Sequence, residues 1–131
     1  MISLLEKEGK VAIDGSVITL DQVSSIRKGD VFAIVIDTLP CAGALQAAKD
    51  AKILLCESTY LEEHRHLAKQ YLHMTAIQAA EIAKQAGARE LILTHFSARY
   101  QELEPFEREA RTIFPNTFAA DDLKVFPFPK N

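Results

Sequence analysis

Positions 31–38 read Val31-Phe32-Ala33-Ile34-Val35-Ile36-Asp37-Thr38: six apolar residues in succession, then a carboxylate and a hydroxyl. A run this short, bounded by turn residues, is too short for a helix. It predicts a strand covered on both faces, as in parallel sheets flanked by helices. Two runs further along have the same form. Lys52–Cys56 is followed by Glu57-Ser58-Thr59, and Glu90–Thr94 by His95-Phe96-Ser97. Between them, Ala42–Asp50 is Ala-rich and helical, and Leu61–Tyr71 is charged and helical. The clearest helix is Thr75–Ala86: Thr75 can cap it, Gln78 completes a capping box, and Gly87 stands where a terminating glycine belongs. Upstream, Val11–Leu20 carries Asp14-Gly15 between two apolar runs, a hairpin signal. Downstream, Pro105 opens a last helix that Pro115 stops, and Lys124–Phe128 reads as an edge strand. The order is a hairpin, then β-α-β-α-α-β-α-β. The fold class is therefore α/β, with the three central strands in one sheet.

Composition narrows the function. A chain of 131 residues suits a single domain. Its apolar runs are far shorter than the ~20 residues of a membrane span. The opening, Met1 to Lys10, has no apolar signal core, and the two cysteines, Cys41 and Cys56, form no Cys-x-x-Cys pair. The expectation is a reduced, cytoplasmic protein without a membrane anchor. A net charge of −3 argues against nucleic-acid binding through a broad basic surface. The five glycines, Gly9, Gly15, Gly29, Gly43 and Gly87, allow neither a dinucleotide fingerprint nor a P-loop. No Gly-x-Ser-x-Gly elbow supports a serine nucleophile.

In open α/β sheets, ligands bind beyond the carboxyl ends of the strands. Three strands should therefore deliver Asp37, Glu57 and His95 to one edge. Asp after a strand is often only a turn residue, but turns do not call for His. His95 follows Leu91-Ile92-Leu93, so it is either a satisfied core histidine or a metal ligand. His64-Arg65-His66 looks like a ligand pair, yet residues two apart on a helix diverge, and a solvated surface is the better reading. His73 lies in the loop entering the Ala-rich helix, where the helix dipole favours its neutral form.

Four short pieces together resemble the C-terminal half of the ribonuclease Z family, tRNA 3′-end endonucleases of the metallo-β-lactamase fold. They are Ile36-Asp37-Thr38, Leu54-Leu55-Cys56-Glu57-Ser58-Thr59-Tyr60, His73-Met74-Thr75-Ala76, and Leu93-Thr94-His95-Phe96-Ser97-Ala98-Arg99-Tyr100. Cys56 stands where many members have His. A larger departure is that the family's first metal motif, His-x-His-x-Asp-His, is absent from this sequence, as is a further His ligand.

The resemblance implies an α/β half of a metallo-β-lactamase αββα sandwich, one mixed sheet with flanking helices, filling residues 1–131 as a single half-domain. It implies two Zn²⁺ ions in the complete site, with Asp37 bridging them and His95 a terminal ligand on one. His73, oriented by Glu57, would serve the scissile phosphate or protonate the departing oxygen. Ser97 and Arg99 would contact substrate, although Arg99 pairing with Glu102 or Glu104 and Tyr100 packing as a satisfied ring remain open. The expected partners are precursor tRNA and an N-terminal half supplying the other metal ligands. With only Asp37 and His95, the chain alone should hold zinc weakly and be inactive. The alternatives are another hydrolase of the same fold, or a non-catalytic half-domain that binds a partner or forms a homodimer. The dimer is expected because the half should expose apolar surface where the second layer belongs.

Overall fold

The computed structural model describes all residues from Met1 to Asn131. A short helix α1 (Ile2–Glu8) ends on Gly9, whose positive φ of 74° suits glycine. The hairpin follows, β1 (Lys10–Ile13) against β2 (Ser16–Thr19). Asp14 and Gly15 both take positive φ at its turn, as a two-residue hairpin loop requires. One turn of helix, α2 (Leu20–Val23), closes this region with a Thr19–Gln22 capping box. Neither α1 nor α2 is signalled by the apolar periodicity.

The main layer is a four-stranded parallel sheet in the order β3 (Phe32–Val35), β4 (Ile53–Glu57), β5 (Glu90–Thr94), β6 (Thr117–Ala119). All three of its pairings are parallel, and the antiparallel hairpin forms a separate two-stranded sheet. Between the strands come α3 (Ala42–Ala48), a 3₁₀ turn at Glu62–His64, α4 (Arg65–Tyr71), α5 (Ala76–Ala86) and α6 (Glu104–Arg111). The expected alternation of strands and helices is therefore present. The cap of α5 is built as its residues require: Thr75 accepts from the Gln78 N–H, and Gly87 closes the helix at φ 69°.

Two expectations fail. Lys124–Phe128 is not a strand; the fourth strand is Thr117–Ala119. Pro127 interrupts the later stretch and Pro129 follows it, and a residue without an N–H cannot donate to a ladder. Phe126 instead lies against Phe118, and Phe128 lies under the Lys52 ammonium. The second correction concerns β3. Its Ala33 and Val35 are buried, but Phe32 and Ile34 are each 53% exposed and the following Ile36 is 51% exposed. The apolar run is thus covered on one face only; β3 is an edge strand, and on the face that Phe32 and Ile34 share with β4 and β5, Ile53 and Ile92 are buried.

The covered face carries the core. Ala44 and Ala48 of α3 meet Ala76, Ala79, Ala80 and Ala83 of α5, with Leu54, Leu91 and Leu93 beneath. Small side chains let these helices approach the sheet closely. Phe106 of α6 is fully buried and receives Phe96 and Tyr100 edge-on, at centroid distances of 4.6 and 5.0 Å. Those contacts hold the loop after β5 against the core. No helix is long and apolar enough to cross a membrane.

Candidate metal centre

The loops after β3, β4 and β5 converge at the carboxyl edge of the sheet. Asp37, two residues beyond β3, and His95, the first beyond β5, both adopt positive φ, 53° and 60°. In this region the chain turns sharply, and Asp and His tolerate it better than most side chains. The turn brings Asp37 Oδ1 within 3.2 Å of His95 Nε2. His73 stands beside them, its Nδ1 4.0 Å from the same oxygen. Asp37, His73 and His95 each offer a ligand atom within 4.8 Å of the others. The His73 and His95 rings are 5.3 Å apart between centroids.

Glu57 organises the cluster from below. It ends β4, is 0% exposed, and accepts from three different loops. The Thr38 N–H donates to Oε1 at 2.5 Å, and the Met74 N–H to Oε2 at 3.1 Å. The Thr59 hydroxyl donates to Oε2 at 2.9 Å, and His73 Nδ1 lies 3.0 Å from the same oxygen. Each carboxylate oxygen faces a backbone N–H that can only donate, so Glu57 acts as an acceptor. The Nδ1 proton of His73 therefore points at Glu57, which leaves Nε2 as its free nitrogen.

The other candidates fall nearby. Ser97 donates its backbone N–H to the Thr59 carbonyl, and its hydroxyl accepts from the Arg99 N–H at 3.4 Å. The Arg99 guanidinium lies 6.0 Å over the Tyr60 ring. It does not pair with Glu104, which binds Arg108. Tyr100 is the packed ring of the two readings: its hydroxyl accepts from the Leu61 N–H and lies 2.7 Å from His64 Nδ1. Burial raises its phenol above the ordinary value. His64 is thereby committed away from the cluster, and His66 is exposed. A cleft of about 280 Å³ lies between α3 and α5, lined in part by Pro40, Cys41, Gln78 and Glu81. It contains none of Asp37, Glu57, His73 or His95, so the chemistry sits on an open edge beside it. Thr59, which bridges Glu57 and His95, is the site residue that sequence reasoning passed over; its only signal is its place two residues after Glu57.

The donor set suits a divalent metal in part. Two ligands on one tetrahedral zinc, at about 2.0–2.1 Å each, are about 3.3 Å apart, which matches the 3.2 Å between Asp37 Oδ1 and His95 Nε2. A catalytic zinc site needs about three protein ligands. Here the third nearby group, His73, is tied through Nδ1 to Glu57.

No protein-family model matches the chain. Ribonuclease Z of Protochlamydia amoebophila is 61% identical over 130 residues, covering 99% of this chain but 42% of its own length. The chain thus spans about two fifths of this relative. Among solved structures, the metallo-β-lactamase fold protein YhfI of Bacillus subtilis superposes with a TM-score of 0.59 at 26% identity, over 66% of this chain and 35% of that one. The short form of human tRNase Z superposes with a TM-score of 0.57 at 27% identity, over 74% of this chain and 32% of that one. Over nearly its whole length the chain is similar to ribonuclease Z proteins of the metallo-β-lactamase fold, as a stretch that fits their C-terminal half.

Proposed function

We propose that this chain is the C-terminal portion of a zinc-dependent phosphodiesterase that trims the 3′ end of precursor tRNA, and that by itself it is inactive. One observation carries the reading: Asp37 and His95, 58 positions apart, meet at 3.2 Å beside His73 at the sheet edge. Zinc bound there would supply Lewis acidity toward water and a phosphoryl oxygen. Asp37 and His95 would hold it. His73, fixed through Nδ1 by buried Glu57, would present Nε2 to the scissile group and, in its doubly protonated form, give the departing oxygen the Nε2 proton while keeping the one on Nδ1. Arg99, free of carboxylate partners and held over Tyr60, would meet a phosphate, and Ser97 would shape that loop. The remaining ligands would come from an N-terminal half carrying His-x-His-x-Asp-His, in a complete cytoplasmic enzyme. Residues 1–131 would fold as one half-domain.

The test is reconstitution with zinc quantified. The chain should not cleave precursor tRNA alone, and should do so when docked with an N-terminal half of ribonuclease Z. Cleavage by the chain alone would overturn the reading. So would a docked complex that holds two zinc ions and does not cleave.

A second reading has its own observation. Phe32, Ile34 and Ile36 form an exposed apolar stripe, and a homodimer covering it would make a non-catalytic half-domain. Sedimentation decides: a tight dimer that no N-terminal half can displace favours the second reading.

A further inference from the structure

We propose that Thr59 is a positioning residue that relays Glu57 to His95, holding the His95 proton on Nδ1 and leaving Nε2 as a free donor for a cation. This rests on the reading of Asp37 and His95 as cation donors. The geometry is a short chain of hydrogen bonds. The Thr59 hydroxyl donates to Glu57 Oε2 at 2.9 Å and lies 3.0 Å from His95 Nδ1. A hydroxyl has one proton. Once that proton is given to Glu57, Thr59 can only accept from His95, so Nδ1 must carry the hydrogen. The opposite tautomer would aim the Nδ1 lone pair at the lone pairs of Thr59 in a part-buried contact. His73 receives the same instruction directly, since its Nδ1 faces Glu57. One buried carboxylate thus sets both imidazoles, one by contact and one through a hydroxyl, with both Nε2 atoms unprotonated in the neutral rings. Partners of this kind around a ligating histidine fix its tautomer and strengthen its basicity.

A competing pull makes the inference testable. His95 Nε2 is 3.2 Å from Asp37 Oδ1, so a proton on Nε2 would also find an acceptor. That carboxylate is 70% exposed, whereas the Thr59 contact is part-buried. Removing the Thr59 hydroxyl should let Asp37 win.

The experiment is long-range proton–nitrogen correlation NMR of the imidazoles in the intact ¹⁵N-labelled chain, without metal, above the pH at which both rings have lost their second proton. The parent should show His95 and His73 protonated on Nδ1. Thr59→Val, close in shape but without a hydroxyl, should lose the Nδ1–H form of His95 and show Nε2–H, with His73 unchanged. Thr59→Ser should restore the parent pattern. A merely structural role for Thr59 would not invert one ring and spare the other. The proposal is overturned if His95 in the parent carries its proton on Nε2, or if Thr59→Val leaves it on Nδ1. The parent spectrum and Thr59→Ser keep the test decisive should Thr59→Val not fold. No metal enters the readout, so a failed result removes the relay alone, and the metal reading stands or falls by reconstitution.

Discussion

At the scale of single residues, the two candidate ligands are held by backbone as much as by side chain. Asp37 and His95 lie in the left-handed region, at φ 53° and 60°. A side chain that tolerates this region should be exchangeable there at small cost. Asp37→Asn and His95→Asn should therefore unfold at nearly the parent urea midpoint, while Asp37→Val should lose about 1–2 kcal/mol. A Val variant as stable as the parent would show that this backbone is not strained. Glu57 behaves differently. Glu57→Gln replaces one acceptor oxygen by an amide nitrogen facing donors, among them the Thr38 and Met74 N–H groups. Leaving buried donors unpaired should cost about 2–3 kcal/mol in urea unfolding, and a loss below 1 kcal/mol would contradict the assignment of Glu57 as the hub. His73→Ala, in the reconstituted complex, should keep its zinc and slow cleavage by about 10²–10⁴-fold, the contribution of a lost general acid. The carboxylate–carboxylate–His sequence at the ends of three strands was legible because each residue closes an apolar run, at or within two residues of a strand end. Neither the burial of Glu57 nor the bridging of Thr59 was legible, because the partners that satisfy them come from loops up to 36 positions away.

At the scale of elements, legibility followed how local the deciding chemistry is. The ends of α5 were readable because Thr75, Gln78 and Gly87 act within one turn of their own helix. Strand β5 was readable to the residue, since nothing but apolar side chains lies between Arg89 and His95 except its end residues Glu90 and Thr94. Strand β6 was not, because three residues carry too little pattern and owe their pairing to β5. The coverage of β3 was not legible either: an apolar side chain does not say whether a second layer is present. The N-terminus of α3 shows a local effect with a measurable sign. Cys41 Sγ accepts the Ala44 N–H at 3.4 Å. That backbone bond, with help from the Thr38 hydroxyl, lowers the Cys41 thiol below its ordinary value of 9.0. Burial, with the Glu57 charge adding to it, raises the buried Cys56 thiol. A lowered value means that thiolate is present at lower pH. Iodoacetamide should therefore alkylate Cys41 alone in the native chain, with a rate that half-saturates below pH 9.0. Cys56 should react only after unfolding, and equal labelling of both thiols in the native state would refute this.

At the scale of the whole molecule, the exposed apolar stripe along β3 and the incomplete ligand set point the same way. The covered face of the sheet is packed with small and branched side chains, while Phe32 and Ile34 on the edge strand, and Ile36 just beyond it, are each about half exposed. The chain spans 42% of the ribonuclease Z of Protochlamydia amoebophila, and its cluster offers two well-placed donors where a catalytic zinc site needs about three. If the polypeptide that completes the site also covers this stripe, a charge placed in the stripe should separate folding from docking. Ile34→Lys meets solvent in the chain alone, where an exposed substitution changes stability by about 0.5 kcal/mol or less. Docked, the same ammonium would lose its hydration without a partner, a cost of several kcal/mol. Since each 1.4 kcal/mol is a factor of ten, the affinity for an N-terminal half of ribonuclease Z should fall by about a hundredfold or more, and cleavage should fall with it at limiting concentration. Saturating the variant with excess N-terminal half should recover the turnover of the parent, because Ile34 is in β3, short of Asp37 and its neighbours. Ile34→Lys that docks as tightly as the parent would place the partner on another surface. A saturated complex that remains slow would mean that the stripe shapes the site as well as the contact.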